Sequence, residues 1–458
     1  MDGRYRGETG EVGRYLSERG LFLERASVEL LYLKALEETR ALGFEASDFD
    51  PASVIASFPP DWYGRVKAIE AEVGHDVKAI ELFLRERLNS SGLSRLSPYV
   101  HIGLTSDDVN NLAYSRLLLY SLRDLIGRFS SLVLSLCDLA EAHRSDPLLA
   151  RTHGVPAEPT TFGKEMAVYA WRLASRLLAL SSARPYGKLG GAVGNHNALH
   201  FLRPDFDWVS FSKDFVNSLG LDYAPLTKQT APNEGMSDLL HQLMLLNYVL
   251  QELARDLWLY NALGLVHFER KGVSSSTMPH KVNPVDLEDA EGQVDASNSL
   301  LSLLAYRLVQ TRLQRDLSDS PVRRLLGQAL AHSAVACGRV IKSIGYMRVD
   351  AAAMRAELEA HPEVLSEAVQ VSLRAQGDER GYEEVREGLR ELDSLARSVK
   401  GEIGKRLVSI SPSDYVGLAP GLADLGSARA REMVKEAKEK TERWPYPLWA
   451  PTDGSSEG

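Results

Sequence analysis

Three polar stretches interrupt an otherwise helical sequence of 458 residues, and each carries more reactive side chains than a turn requires. The richest is Ser274-Ser275-Ser276-Thr277-Met278-Pro279-His280-Lys281-Val282-Asn283-Pro284, with four consecutive hydroxyls followed by an imidazole, an ammonium and a carboxamide. It offers a nucleophile or base, a cation and an amide donor, where a plain interhelical connection is short and built from turn residues. No Gly-x-Ser-x-Gly elbow is present, and the glycine spacing of a P-loop is absent. The second stretch, Arg151-Thr152-His153-Gly154-Val155-Pro156-Ala157, sets a histidine beside Gly and Pro, away from a regular element. Histidine moves protons near neutral pH, although a lone histidine is often only structural. The third is Thr105-Ser106-Asp107-Asp108-Val109-Asn110-Asn111, just before a long apolar run. Its hydroxyls and carboxylates read equally as helix caps and as a helix N-terminus that receives a carboxylate or phosphate.

Long helices must position these groups. Leu118, Leu122, Leu125, Phe129, Leu132, Leu136 and Leu139 recur in alternating steps of four and three, and so do Leu239, Leu243, Leu246, Leu250, Leu253, Leu257 and Tyr260. Such steps keep one apolar seam facing a partner helix. The second helix is predicted from Ser237 to about Arg270, with further helices from about Phe162 to Leu180 and Pro284 to Leu313. Four or five such rods make an elongated bundle. Apolar residues off the seams, such as Leu117, Leu119, Leu240 and Val249, predict burial on more than one side, and hence a homo-oligomer. Breaks at Phe58-Pro59-Pro60 and Ser97-Pro98 mark a smaller helical domain over 1–106. The central bundle follows over 107–335 and a shorter-period, more charged helical domain over 336–458, with the tail from Trp444 loose. The fold class is all-α.

The composition narrows the chemistry. With 62 acidic against 53 basic residues and a net charge of -9, a nucleic-acid partner is not expected. No apolar segment reaches the length of a membrane span, and no secretory leader is apparent, so the expected compartment is the cytoplasm. Two cysteines, Cys137 and Cys337, cannot build a disulfide framework or a cysteine zinc site and read as buried thiols.

The stretch from Ser275 to Pro284 resembles the signature of the fumarase/aspartase superfamily, Gly-Ser-Ser-x-Met-Pro-x-Lys-x-Asn-Pro, and the other two stretches resemble its remaining motif regions in the same order. Within that superfamily the chain resembles the adenylosuccinate lyase family along nearly its whole length. The similarity is carried by Arg4-Tyr5, His75-Asp76-Val77, Thr152-His153, Gln229 and the run Arg315-Asp316-Leu317-Ser318-Asp319-Ser320 with Arg324. Three positions depart from the pattern: Ser274 replaces the signature's Gly, Gly74 precedes His75 where relatives carry a polar residue, and Asp289 stands where many have Asn or Arg.

The resemblance implies a three-domain fold with a tetrameric twenty-helix core and active sites shared between subunits. It implies elimination of fumarate from a succinyl group on a nucleotide nitrogen, with no metal and no cofactor. On the same ground Ser275 is the base and His153 the acid, Glu288 orients His153, and Lys281 and Asn283 hold the developing dianion. His75 joins these catalytic residues. Thr105 and Ser106 take succinyl oxygens, and Asp76 and Gln229 contact the substrate. Arg4, Tyr5, Arg315, Ser320 and Arg324 bind the nucleotide end. The loop from about Ser274 to Asn283 is expected to be mobile until it closes over substrate, because a reactive alkoxide needs water excluded.

Overall fold

The computed structural model describes residues 3–43, 49–269, 278, 281–378, 382–387 and 392–449. The elements that matter for the site are α1 (Glu18–Glu38), α2 (Asp76–Ser90), α3 (Ser106–Ala142), strands β1 (Pro147–Thr152) and β2 (Val155–Thr161), and α4 (Phe162–Ser182). They continue with α5 (Glu234–Ala262), α6 (Val285–Leu308), α7 (Leu326–Gly345) and α8 (Ala419–Glu442).

The apolar seams drive the architecture. Every seam residue of α3 and α5 is buried except Leu139 and Tyr260, which are half-buried. With 37 residues at about 1.5 Å each, α3 is a rod of roughly 55 Å. α3 packs on α4, α4 on α5, α5 on α6, α6 on α7, and α7 back on α3, closing a ring of five rods around one core. The second helix is shorter than its periodicity predicts. It stops at Ala262 because Gly264 takes a left-handed conformation, and the following Val266–Phe268 pairs as a strand with Met347–Val349.

A second core joins α1 and α2 with residues of 49–100. The 335/336 division falls inside α7, and α8 lies along α3 and α4 in the main core, so the residues from 336 to Gly345 and those of α8 pack with the bundle. The tail is docked as far as Trp449. Arg123 donates to the carbonyls of Trp444 and Pro445 and lies 3.8 Å from the Tyr446 ring centroid, while the Trp449 indole donates to Glu24 at 2.9 Å. These four contacts outweigh the terminal position that suggested a loose end. Cys137 and Cys337 are free and buried. No helix among the described residues is long and apolar enough to cross a membrane, and none of their acidic, His or Cys groups forms a metal-binding cluster.

Candidate active site

The N-terminal end of α3 opens onto a cavity of about 290 Å³. Thr105, Ser106, Asp107, Asn110 and Tyr114 reach it from one face of α3, since helical residues three or four apart lie above one another. His75 and Asp76 reach it from the start of α2, Arg25 from α1, Gln229 from a loop, and Arg315, Ser320, Arg323 and Arg324 from the segment that leads into α7. His75, Asp76, Thr105, Ser106, Gln229, Arg315, Ser320 and Arg324, far apart in sequence, thus share one cavity.

The third polar stretch caps the helix and also lines the cavity. Asp108 caps the helix, accepting the Thr105 amide at 2.8 Å. That leaves Thr105 and Ser106 facing the cavity at a helix N-terminus, where an anionic oxygen is favoured. Asp108 is fully buried, pairs with buried Lys188 at 2.7 Å and accepts the amides of Gly190 and Gly191. Burial pushes its carboxyl up, against the pull of Lys188. The glycine-rich turn held in this way presents the Ala192 carbonyl to the Gln229 amide at 2.8 Å.

His75 caps α2, its Nδ1 accepting the Lys78 amide at 3.2 Å, so in the neutral ring Nε2 carries the proton. Nε2 lies 3.4 Å from the Ser106 hydroxyl. Gly74 ends the preceding helix in a left-handed conformation, which accounts for glycine at that position. Burial pushes the Asp76 carboxyl up, but Arg25 at 2.8 Å outweighs it and holds the group below its ordinary range.

The other predicted residues among those described lie elsewhere in the protomer. His153 is exposed and lies in a turn, off the regular elements as its sequence suggested. It tips the β1–β2 hairpin, where His153 and Gly154 both take positive φ, the geometry of a two-residue primed turn. The base of that hairpin is bonded to the far end of α3, through the Phe162 amide to Asp146 and the Gly163 amide to His143. Even a hairpin of about 20 Å folded back along a rod of about 55 Å leaves His153 roughly 35 Å from Thr105.

Lys281, Asn283 and Glu288 gather at the start of α6, also remote from the cavity. Glu288 accepts from the Trp258 indole at 3.1 Å and has no bond to His153 among the described residues. The hairpin and the start of α6 nevertheless share one end of the bundle, since Phe162 stacks edge-on with Tyr260, two residues from Trp258. Tyr5 is at that end too: its hydroxyl donates to Asp289 at 3.1 Å, with Arg4 5.9 Å from its ring centroid. Arg339 anchors Asp289 at 2.8 Å, and Arg339 stands thirteen residues beyond Leu326, about 20 Å along α7 from the end that follows Arg324. Arg4 and Tyr5 therefore do not join Arg315, Ser320 and Arg324 within one protomer. Ser275, with residues 270–277 and 279–280 of the signature loop and the loop closure expected there, lies outside the described residues.

Residues 24–294 match the family model of the lyases, and residues 311–416 match that of the adenylosuccinate lyase C-terminal region. The adenylosuccinate lyase of Escherichia coli K12 is 36% identical over 446 residues, spanning 93% of this chain and 97% of that protein. The adenylosuccinate lyase of Haemophilus influenzae is 35% identical over the same shares. The chain belongs to the adenylosuccinate lyase family. The fold is shared more widely in the superfamily. The 3-carboxy-cis,cis-muconate lactonizing enzyme of Pseudomonas putida superposes with a TM-score of 0.72 at 22% identity, covering 94% of this chain and 100% of that one. A fumarate lyase from Mesorhizobium sp. BNC1 gives 0.72 at 19% identity, over 92% and 97%.

Against the pattern of the adenylosuccinate lyase family, the acidic Asp289 is explained by its partners. Arg339, Tyr5 and Gln293 all engage its carboxylate, so it does not stand as a free charge beside an anionic ligand. Sequence reasoning missed Arg25, Tyr114 and Arg323 as cavity-lining residues. Of the pair Arg323 and Arg324, neither is simply solvated: Arg323 is 3% exposed, and Arg324 pairs with Asp76 at 3.4 Å. The spacing of Arg315, Asp319 and Arg323, four residues apart each time, was the available signal for a charge-paired set.

Proposed function

We propose that the chain eliminates fumarate from adenylosuccinate to give AMP, and from SAICAR to give AICAR, in cytoplasmic purine nucleotide biosynthesis. It works as a homotetramer whose active sites draw on more than one subunit. One observation carries the shared-site reading: His75, Asp76, Thr105, Ser106, Gln229, Arg315, Ser320 and Arg324 line a cavity at one end of α3, while Arg4, Tyr5, His153, Lys281, Asn283 and Glu288 lie toward the other end of a rod of about 55 Å. A second chain running the opposite way along the bundle brings these halves together.

The chemistry fits the residues. Ser275 removes the weakly acidic proton on the carbon next to a succinyl carboxylate. The electron pair enters that carboxylate as a dianion, which Lys281 and Asn283 stabilise as charge builds. The pair then returns to expel the nitrogen, and His153 protonates the leaving group, with Glu288 favouring its imidazolium. Thr105, Ser106 and His75 hold succinyl oxygens at the α3 N-terminus. Arg315, Ser320 and Arg324 take the phosphate, for which a planar guanidinium fork suits two oxygens at once.

The test is an absorbance assay with adenylosuccinate. Wild type should turn it over, and Ser275→Ala and His153→Ala should each lose at least ~100-fold, the scale of a lost acid–base group. Turnover of argininosuccinate with none of adenylosuccinate overturns the substrate assignment. Near-normal turnover in either variant removes that residue's role.

A further inference from the structure

Four arginines and four aspartates line the cavity: Arg25, Arg315, Arg323 and Arg324 against Asp76, Asp107, Asp316 and Asp319. The formal charges balance, so a phosphate is not drawn in by a net positive field. Recognition depends on where individual guanidinium groups point. Those groups are arranged in two similar relays. Asp319 gives one oxygen to Arg315 at 3.0 Å and the other to Arg323 at 2.8 Å. Asp76 also links two arginines, but through one oxygen: its Oδ2 takes Arg25 at 2.8 Å and Arg324 at 3.4 Å, while Oδ1 accepts the Val77 amide. In each relay the outer arginine is the more exposed, at 20% for Arg315 and 48% for Arg324, and the inner one is buried.

Arg323 has little freedom to reach a ligand. Its guanidinium lies 5.4 Å from the Tyr114 ring centroid and 4.0 Å from Asp107, which is also 3.9 Å from Arg315 and whose two carboxylate oxygens have no hydrogen-bond partner among the described residues. Its Nε is also buried without a hydrogen-bond partner among the described residues. A buried guanidinium in this setting fixes a carboxylate rather than binding substrate. Without it, both Asp319 oxygens are free to engage Arg315, which turns that guanidinium away from the cavity and neutralises it more completely.

We infer that Arg323 is a positioning residue for the nucleotide end of the substrate, acting through Asp319 on Arg315. The inference rests on the lyase reading above, in which Arg315 meets the phosphate. Nothing in the motif that marks Arg315, Ser320 and Arg324 assigns Arg323 a role.

The test is steady-state kinetics in both directions. Arg323→Met should raise KM for adenylosuccinate and, in reverse, for AMP by about tenfold, with kcat within about threefold and KM for fumarate within about twofold. Arg323→Lys, which keeps the charge, should recover to within about threefold of wild type. Arg315→Met should match Arg323→Met, and the double variant should exceed Arg315→Met by no more than about twofold, because one residue acts through the other. The inference is overturned if nucleotide KM is unchanged, if KM for fumarate rises equally, or if Arg323→Met adds its full factor in the Arg315→Met background. Should Arg323→Met not fold, Asp319→Asn breaks the same link and is read by the same comparisons. If wild type does not turn over adenylosuccinate, the lyase reading fails by itself, and calorimetric binding of AMP to wild type and Arg323→Met decides the positioning role separately.

Discussion

Replacing Lys188 with Met tests whether a buried ion pair holds the N-terminal end of α3 to the glycine-rich turn. Lys188 is 1% exposed, and its ammonium lies 2.7 Å from Asp108 Oδ1, itself on a fully buried side chain. It also donates to the Gly191 carbonyl at 2.6 Å. Removing one partner of a buried pair leaves an uncompensated charge, which costs about 3–5 kcal/mol. Three amide donors, from Thr105, Gly190 and Gly191, remain on Asp108, so the lower end of that range applies, about 3 kcal/mol.

The pH dependence has a definite sign. Burial holds the Asp108 carboxyl above its ordinary value in the folded chain, and loss of Lys188 raises it further. The folded state then binds a proton that the unfolded state does not, so the deficit of Lys188→Met should grow as pH rises through the raised folded value and shrink as pH falls toward the unfolded one. Urea unfolding followed by circular dichroism near pH 8 and near pH 5.5 measures this, with Asp108→Asn/Lys188→Met as the neutral comparison. The double variant should regain about 2 kcal/mol of the loss near pH 8. A Lys188→Met protein within about 1 kcal/mol of wild type at both pH values, or one that Asp108→Asn does not rescue, refutes the reasoning.

His101 Nδ1 meets the buried Glu29 carboxylate at 2.5 Å; burial works against the imidazolium, but Glu29 outweighs it and raises the group above its ordinary value. Its stabilisation is therefore complete below the unfolded value and is lost as pH rises through the raised folded one. His101→Asn should lose about 1–3 kcal/mol near pH 6 and distinctly less near pH 9, and an equal loss at both in denaturant unfolding excludes a charged pair. Gly194 has φ +82°, and a Cβ there would overlap the Thr227 carbonyl oxygen beside Gln229. Gly194→Ala should cost about 1–3 kcal/mol and raise KM for adenylosuccinate through Gln229, so wild-type melting together with wild-type KM contradicts this account of the turn.

The rods were legible because their packing is written as periodicity. Leu118 through Leu136 and Leu239 through Leu257 occupy the core as their spacing predicts. The end of α5 was not legible, because Gly264 supplies a stop by backbone conformation inside a run that remains apolar. The cavity residues were identifiable by type, since hydroxyls at a helix N-terminus and an Arg-Ser-Arg set announce anion binding. Their grouping was not, because it depends on how α1, α2 and α3 pack. Arg25 shows the limit: its charge reads as surface, yet the side chain is 3% exposed and completes a relay with Asp76. Nor does a sequence say that Thr105 and His153 stand at opposite ends of one helix; that follows only once α3 is seen to run unbroken between them.

The shared-site reading is tested most directly by mixing subunits. Ser275→Ala and His153→Ala proteins, each inactive alone, are dissociated, combined in equal amounts and allowed to reassemble, with mixed tetramers confirmed by native mass spectrometry. If Ser275 and His153 of one site come from different chains, random assembly gives both intact groups to about a quarter of the sites, and about a quarter of wild-type turnover should return. Turnover no higher than that of the parent variants, in tetramers shown to be mixed, would mean that one chain supplies both groups.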